Sequence, residues 1–220
     1  RLCIQKPAGG VRPLAIPWDM EAAIGLLEYT RASSVIENIG LSPFVISYRA
    51  GMGCPMANII ARAMREDAHQ FKKPLWLMLS DFQKYYCSVN AFTISSAAIH
   101  LNAPEPLIQF AVENLQGNYF NLLTDVGVSP NTPHMTGLKQ GSAWSCFAVM
   151  LTGQILVEIF EQSARQYTMA SPEEHLSIPA LVYVDDCTGT ATDSQSHLTK
   201  WQDLGAYCLA NRIGLNPFPK

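Results

Sequence analysis

Hydrophobic positions along this chain recur at two periods, and the change from one to the other divides it into elements. Leu75-Trp-Leu-Met-Leu-Ser80 is a short, almost wholly apolar run that ends on Asp81, as a buried central strand would. Ile178-Pro-Ala-Leu-Val182 is a second apolar run. It leads into Tyr183-Val-Asp-Asp186 and then into a strand-like stretch from Cys187 to Ala191. Two adjacent carboxylates between β-prone segments predict a hairpin with its acids at the tip.

Between and around these runs the spacing turns helical. Helices are predicted near residues 20–36, bounded by Pro17 and Gly40, and at 56–71, with Ile59, Ile60, Ala63 and Met64 in phase. Two shorter ones follow at 93–100 and 106–114, separated by Asn102-Ala-Pro104. Residues 145–162 are apolar nearly all round, as a helix packed under a sheet would be. A last helix at 194–211 is closed by Gly214. Near the start, Ala8-Gly-Gly10 predicts a short hairpin. The fold class is α+β, with an antiparallel sheet backed by helices.

Composition narrows the classes. At 220 residues and 48% hydrophobic, the chain can bury a sizeable core as one or two subdomains. No apolar run approaches the roughly 20 residues of a bilayer span, and no secretory signal is visible. The six cysteines lack CxxC spacing and the five histidines lack ligand spacing. Zinc ligation is therefore not expected, and free thiols in a reducing, intracellular compartment are. The net charge of −3 is unevenly spread. Residues 1–73 hold nine Lys/Arg against six Asp/Glu, a balance of +3; residues 74–220 hold six against twelve, a balance of −6. The first part can meet phosphates, though +3 is a thin footprint for a nucleic-acid enzyme.

The acids carry the chemistry. Asp81 closes one strand and Asp185-Asp186 sit in a hairpin, so the three can converge on one sheet edge. Burying carboxylates together without a cation would cost several kcal/mol. Three hard-oxygen donors suit two Mg²⁺ ions, which leave coordination sites for substrate phosphates.

At this point the motifs resemble those of reverse transcriptases. Asp81-Phe-Gln-Lys-Tyr-Tyr-Cys-Ser-Val89 looks like motif A, Gly137-Leu-Lys-Gln-Gly-Ser-Ala-Trp-Ser145 like motif B, and Leu181-Val-Tyr-Val-Asp-Asp186 like motif C. Upstream, Lys6-Pro-Ala-Gly-Gly-Val-Arg-Pro-Leu-Ala-Ile-Pro17 and Tyr48-Arg-Ala-Gly-Met52 resemble fingers segments of non-LTR retrotransposon and group II intron enzymes. Downstream, Gly214-Leu-Asn-Pro-Phe-Pro-Lys220 resembles the motif D region. Six motifs stand in family order over nearly the whole chain. Because the chain starts and stops within motifs, it is expected to be part of a longer polypeptide.

The resemblance implies a right-hand polymerase with fingers at 1–73 and palm at 74–220. It implies an RNA-directed DNA polymerase of a retroelement that adds dNTPs to a primer 3′ end. Asp81, Asp185 and Asp186 would be catalytic, and Asp81, Phe82, Asp185 and Asp186 would hold two Mg²⁺ ions, with Mn²⁺ as the alternative metal. Lys6, Arg12, Tyr86, Gln140, Gly141 and Lys220 would bind the nucleotide, and Tyr183 and Val184 would lie at the primer grip. Arg12 suits a triphosphate because a guanidinium meets phosphate oxygens bidentately. Tyr86, five residues past Asp81, would exclude a 2′-hydroxyl. The implied partners are an RNA template, a DNA or RNA primer, dNTPs and the rest of the chain's own polyprotein (a thumb, an endonuclease), with no membrane; the implied location is nucleus or cytoplasm.

The departures blur the subfamily. Tyr85 and Cys87 replace a small residue and a second Asp in motif A, Lys139 and Cys146 replace prolines in motif B, and Val184 stands where Ala is usual. Two alternatives stay open: an RNA-dependent RNA polymerase sharing the palm, and a catalytically inert relic that binds RNA.

Overall fold

Caps and prolines set where the elements begin. The computed structural model describes residues 2–5, 11–14, 19–115, 118–121, 123–124, 126–134, 137–139, 142–170 and 175–216. In chain order, strands β1 (Leu2–Gln5) and β2 (Val11–Leu14) pair antiparallel and lead into helix α1 (Asp19–Ile39). Helix α2 (Cys54–Gln70) starts on Pro55, whose missing N–H costs nothing in a first turn. Strand β3 (Trp76–Gln83) and a single turn, α3 (Tyr85–Ser88), follow. Helix α4 (Ala91–His100) is capped by Asn90, whose side chain accepts the Thr93 N–H, and α5 is Glu105–Leu115. Four short strands come next: β4 (Asn118–Phe120), β5 (Leu123–Thr124), β6 (Gly127–Val128) and β7 (Thr132–His134). Then come α6 (Ala143–Ser163), β8 (Tyr167–Ala170), β9 (His175–Ile178), β10 (Ala180–Tyr183) and β11 (Asp186–Ala191). Helix α7 (Ser194–Asn211), capped by Asp193, precedes β12 (Gly214–Leu215).

The chain divides into two compact units, residues 1–40 with 84–148, and residues 41–83 with 149–220. The 73/74 boundary drawn from the motif order lies inside the second unit, so the compact units and the motif-based subdomains divide the chain differently.

The first unit holds antiparallel pairs β1–β2, β4–β7 and β5–β6, with α4 packed on α5. Trp144 anchors it: its ring meets Phe110 edge-on at 4.8 Å and lies 4.5 Å from Phe147, within the range where such pairs add to simple burial.

The second unit is built on a four-stranded antiparallel sheet in the order β10-β11-β3-β12. Residues 44–47 run along β10, with Val45 bridging Val182 in parallel. Met78 and Phe82 are buried on one face of β3, where residues 149–163 of α6 and all of α7 belong to the same unit. A Cβ on Gly189 would lie 2.9 Å from Met78 Cε and 3.6 Å from Phe160, so a larger residue there would make the Met78 terminal methyl shift. The Phe82 ring lies 6.3 Å from Tyr207 of α7. Each fully buried side chain of this size contributes about 1.5–3 kcal/mol. Beneath the same sheet Lys200 is wholly buried, donating from Nζ to the carbonyls of Phe160 and Pro179 at 3.0 and 3.1 Å. Burial lowers its pKa to about 8. A second polar lock joins α2 to β8: Asp67 accepts the Tyr167 hydroxyl and the Ala170 N–H and pairs with Lys73 at 2.8 Å.

Several expectations need correcting. β3 is central by pairing, yet Leu79 is 57% exposed and Asp81 is exposed, because only one face of the strand is covered. Ile59 of α2 is likewise exposed, while Met64 of the same helix is buried. α7 ends on Arg212, which takes the left-handed conformation at φ 57°, and Gly214 instead pairs with Gln83 in β12. No sequence pattern predicts strands β4 to β9: Pro179, lacking an N–H, separates β9 from β10 within what reads as one apolar run. α6 is, by length and composition, apolar enough to cross a membrane, but 72% of that stretch is buried inside the protein. The single turn α3 has no predicted counterpart; the six predicted helices agree with their spans to within three residues at either end.

Candidate active site

β10 and β11 are joined by two residues, so that Tyr183 pairs with Asp186 and Val184-Asp185 form the tip. Val184, the first residue of the turn, has φ 58°, in the left-handed region, and Asp185 has no positive φ. That position favours glycine. A β-branched residue there is strained by about 1–2 kcal/mol. Val184 is nevertheless buried, and the surrounding structure holds it.

The turn delivers the acids to β3. Asp186 opens β11 and is the register partner of Asp81; the ladder continues as the Phe82 N–H donates to the Asp185 carbonyl at 2.9 Å. Directly opposed residues of neighbouring strands share a face. Asp81 and Asp186 therefore face the same way, with Asp185 one residue off. The charges feel each other: Asp186 titrates above the ordinary carboxylate range, owing first to partial burial, then to Asp185, then to Asp81. Asp81 has a neutral partner. Its Oδ2 accepts the Asn216 side-chain amide at 2.6 Å, and its carbonyl accepts the Asn216 N–H at 2.9 Å.

Tyr183 is half-buried behind the turn, its phenol pushed up by a hydrogen bond with Cys54 and then by burial. Tyr86 stands half-buried on α3, in the other compact unit. There its carbonyl accepts the Leu138 N–H, which ties the start of the Gly137–Ser145 segment to α3. Arg12 pairs with Ile4 in the β1–β2 hairpin; its side chain is not among those described. Lys6, Gln140, Gly141 and Lys220 lie outside the described residues.

No family model matches the chain, and no curated protein does. Solved structures do. The apo telomerase of Candida tropicalis, truncated from its C-terminal domain, is similar at a TM-score of 0.59 and 11% identity, over 89% of this chain and 39% of that one. The telomerase of Candida albicans, solved with a TWJ fragment of telomeric RNA, is similar at 0.55 and 10% identity, over 91% and 34%. The fold is reverse-transcriptase-like. The chain spans little more than a third of the length of the telomerase chains it matches.

Within that fold the chemistry of the donor set suits a metal. Asp81, Asp185 and Asp186 offer hard carboxylate oxygens, and their mutual repulsion is what a divalent cation relieves. Phe82 can contribute only backbone oxygen. Among the described residues no three His, Cys, Asp or Glu stand as a ready-made cluster.

Two residues of this site escape a reading of individual positions. Asn216 lies in the motif D segment, but its approach to Asp81 depends on β12 pairing with Gln83 and Phe82, which two residues of strand do not announce. Ser47 precedes the Tyr48–Met52 segment by one residue. Its Oγ accepts the Val184 N–H at 2.6 Å, a contact over 137 residues that local pattern cannot reveal.

Proposed function

We propose that the chain is the catalytic part of an RNA-directed DNA polymerase of a retroelement, with fingers at 1–73 and palm at 74–220. The observation that carries this reading is the opposition of Asp81 and Asp186 across β3 and β11, with Asp185 on the turn between β10 and β11. Motif order supports it, as does a fold shared with telomerases. That two such telomerases were solved with telomeric RNA favours RNA as the template partner here.

In this mechanism Asp81 and Asp185 would hold Mg²⁺ (or Mn²⁺), with Asp186 as a further carboxylate and Phe82 offering backbone oxygen. The ions, when bound, supply Lewis acidity to the primer 3′-hydroxyl and the triphosphate. The chain's own contribution is placement. β3 and β11 set Asp81 and Asp186 on one face with Asp185 on the adjoining turn, a placement that would orient the reacting groups before reaction. By their places in the motifs, Arg12 and Lys6 would grip the triphosphate, and Gln140, Gly141 and Lys220 would bind the nucleotide. Tyr183 and Val184 lie against the primer end. Tyr86, five residues past Asp81 in the motif A segment, would exclude a 2′-hydroxyl.

Primer extension by the full-length protein on an RNA template tests the reading. Extension should occur with dNTPs and be abolished by Asp81→Ala and by Asp186→Ala. Tyr86→Val should raise rNTP use while dNTP use falls only modestly. Equal use of rNTPs by the wild type would transfer the assignment to an RNA polymerase. RNA binding without synthesis of either kind would mark an inert relic.

A further inference from the structure

The backbone of the acidic turn is held from outside its own hairpin. In a two-residue hairpin the ladder bonds belong to the flanking pair, here Tyr183 and Asp186, which leaves the first turn N–H without a ladder acceptor. That N–H belongs to Val184, which is buried, so an acceptor has to come from the protein. Ser47 supplies it. The residue is 1% exposed, and its hydroxyl accepts the Val184 N–H at 2.6 Å and donates to the Val182 carbonyl at 3.4 Å.

Ser47 is itself tightly placed. The Ile46 N–H donates to the Val182 carbonyl and the Val182 N–H to the Phe44 carbonyl, each at 2.9 Å, which lays residues 44–47 against β10. Arg49 Nη1 bonds the carbonyls of Ser42 and Val45, and the Ser42 N–H donates to Gln154 Oε1 of α6 at 2.7 Å. The hydroxyl thus comes from a braced segment and meets the one residue of the turn whose φ is unfavourable for its side chain.

We infer that Ser47 is a positioning residue: its buried hydroxyl holds Val184 at positive φ and so fixes the turn that presents Asp185 and Asp186. The catalytic consequence rests on the polymerase reading; the clamp itself does not.

The experiment therefore has two readouts. Hydrogen exchange at the Val184 amide, measured without substrate, should be at least tenfold faster in Ser47→Ala than in wild type. In primer extension, Ser47→Ala should lower kcat about tenfold with KM for dNTP unchanged. Glycine takes positive φ freely. In a Val184→Gly background Ser47→Ala should therefore change kcat less than twofold, and the double variant should fold even if Ser47→Ala alone does not. Unchanged exchange at Val184, or a fall in kcat on adding Ser47→Ala to Val184→Gly as large as its fall in wild type, overturns the clamp. A wild type that synthesises nothing overturns the polymerase reading instead, while the exchange comparison still decides Ser47.

Discussion

Asp186 stands directly opposite Asp81 in the β3–β11 ladder, two like charges in register. Such pairs destabilise a sheet by about 0.2–1 kcal/mol. Asp186→Asn should therefore stabilise the metal-free protein by up to about 1 kcal/mol while abolishing nucleotide addition. Chemical denaturation in chelator checks the first half and primer extension the second. A variant less stable than wild type would mean that the pair is not repulsive.

How the sequence reveals this site, and where it stops, follows from interaction range. Asp81 and the Asp185-Asp186 pair are legible because each follows a short, continuous apolar run. The pairing of their strands is legible only through motif order. Strands of two or three residues between α5 and α6 leave no periodic signal, since so few residues cannot show an alternation. Leu79 misleads because an apolar side chain on an uncovered face looks the same in sequence as one in a core. Asn216 and Ser47 act through contacts over 135 and 137 residues, which depend on the folded register.

Asp67 gives a prediction in pH. Burial alone would raise its pKa, but bonds from Lys73, Tyr167 and the Ala170 N–H more than offset that and hold it below the ordinary range. In the unfolded chain the ordinary value returns. Its stabilisation is thus complete above the unfolded value and is lost as pH falls through the lower folded one. Asp67→Ala should cost about 2–4 kcal/mol at neutral pH, because buried donors lose their acceptor. Asp67→Asn should flatten the acid limb of a stability profile taken from neutral pH into the acid range. Identical acid limbs in variant and wild type would refute the assignment.

Gly137 is fixed by backbone. It has φ 91°, and a Cβ there would lie 2.7 Å from Cys87 Cα and 2.8 Å from the carbonyl oxygens of Tyr86 and Cys87. Neither can swing aside as a side chain would. Gly137→Ala should cost at least about 2 kcal/mol and expose the Leu138 amide to exchange. Gly205 is the internal control: it lies within α7 with nothing inside 4 Å of its Cβ position. Gly205→Ala should gain about 0.5–1 kcal/mol. Equal effects of the two substitutions on thermal unfolding would dismiss the close approach at Gly137.

Asn216 offers the most direct probe of the carboxylates. Its amide nitrogen lies 2.6 Å from Asp81 Oδ2, so Asn216→Asp would set an oxygen in place of a donor beside an acid already opposed by Asp186. Two carboxylates at that separation do not both ionise without a cation between or beside them. Asn216→Asp should therefore lose at least about 1 kcal/mol at neutral pH in chelator, and should regain it either on acidification or on addition of Mg²⁺. Ligand linkage makes the second recovery grow with the logarithm of metal concentration. Asn216→Ala, by contrast, leaves the backbone bond to Asp81 in place and should cost only about 0.5–1.5 kcal/mol, with no added metal dependence. Denaturant midpoints measured across a Mg²⁺ series separate the two variants. Should Asn216→Asp unfold at the wild-type midpoint in chelator, Asn216 would not be the partner of Asp81 in solution, and the neutral bridge that tempers this acidic face would have to be sought elsewhere.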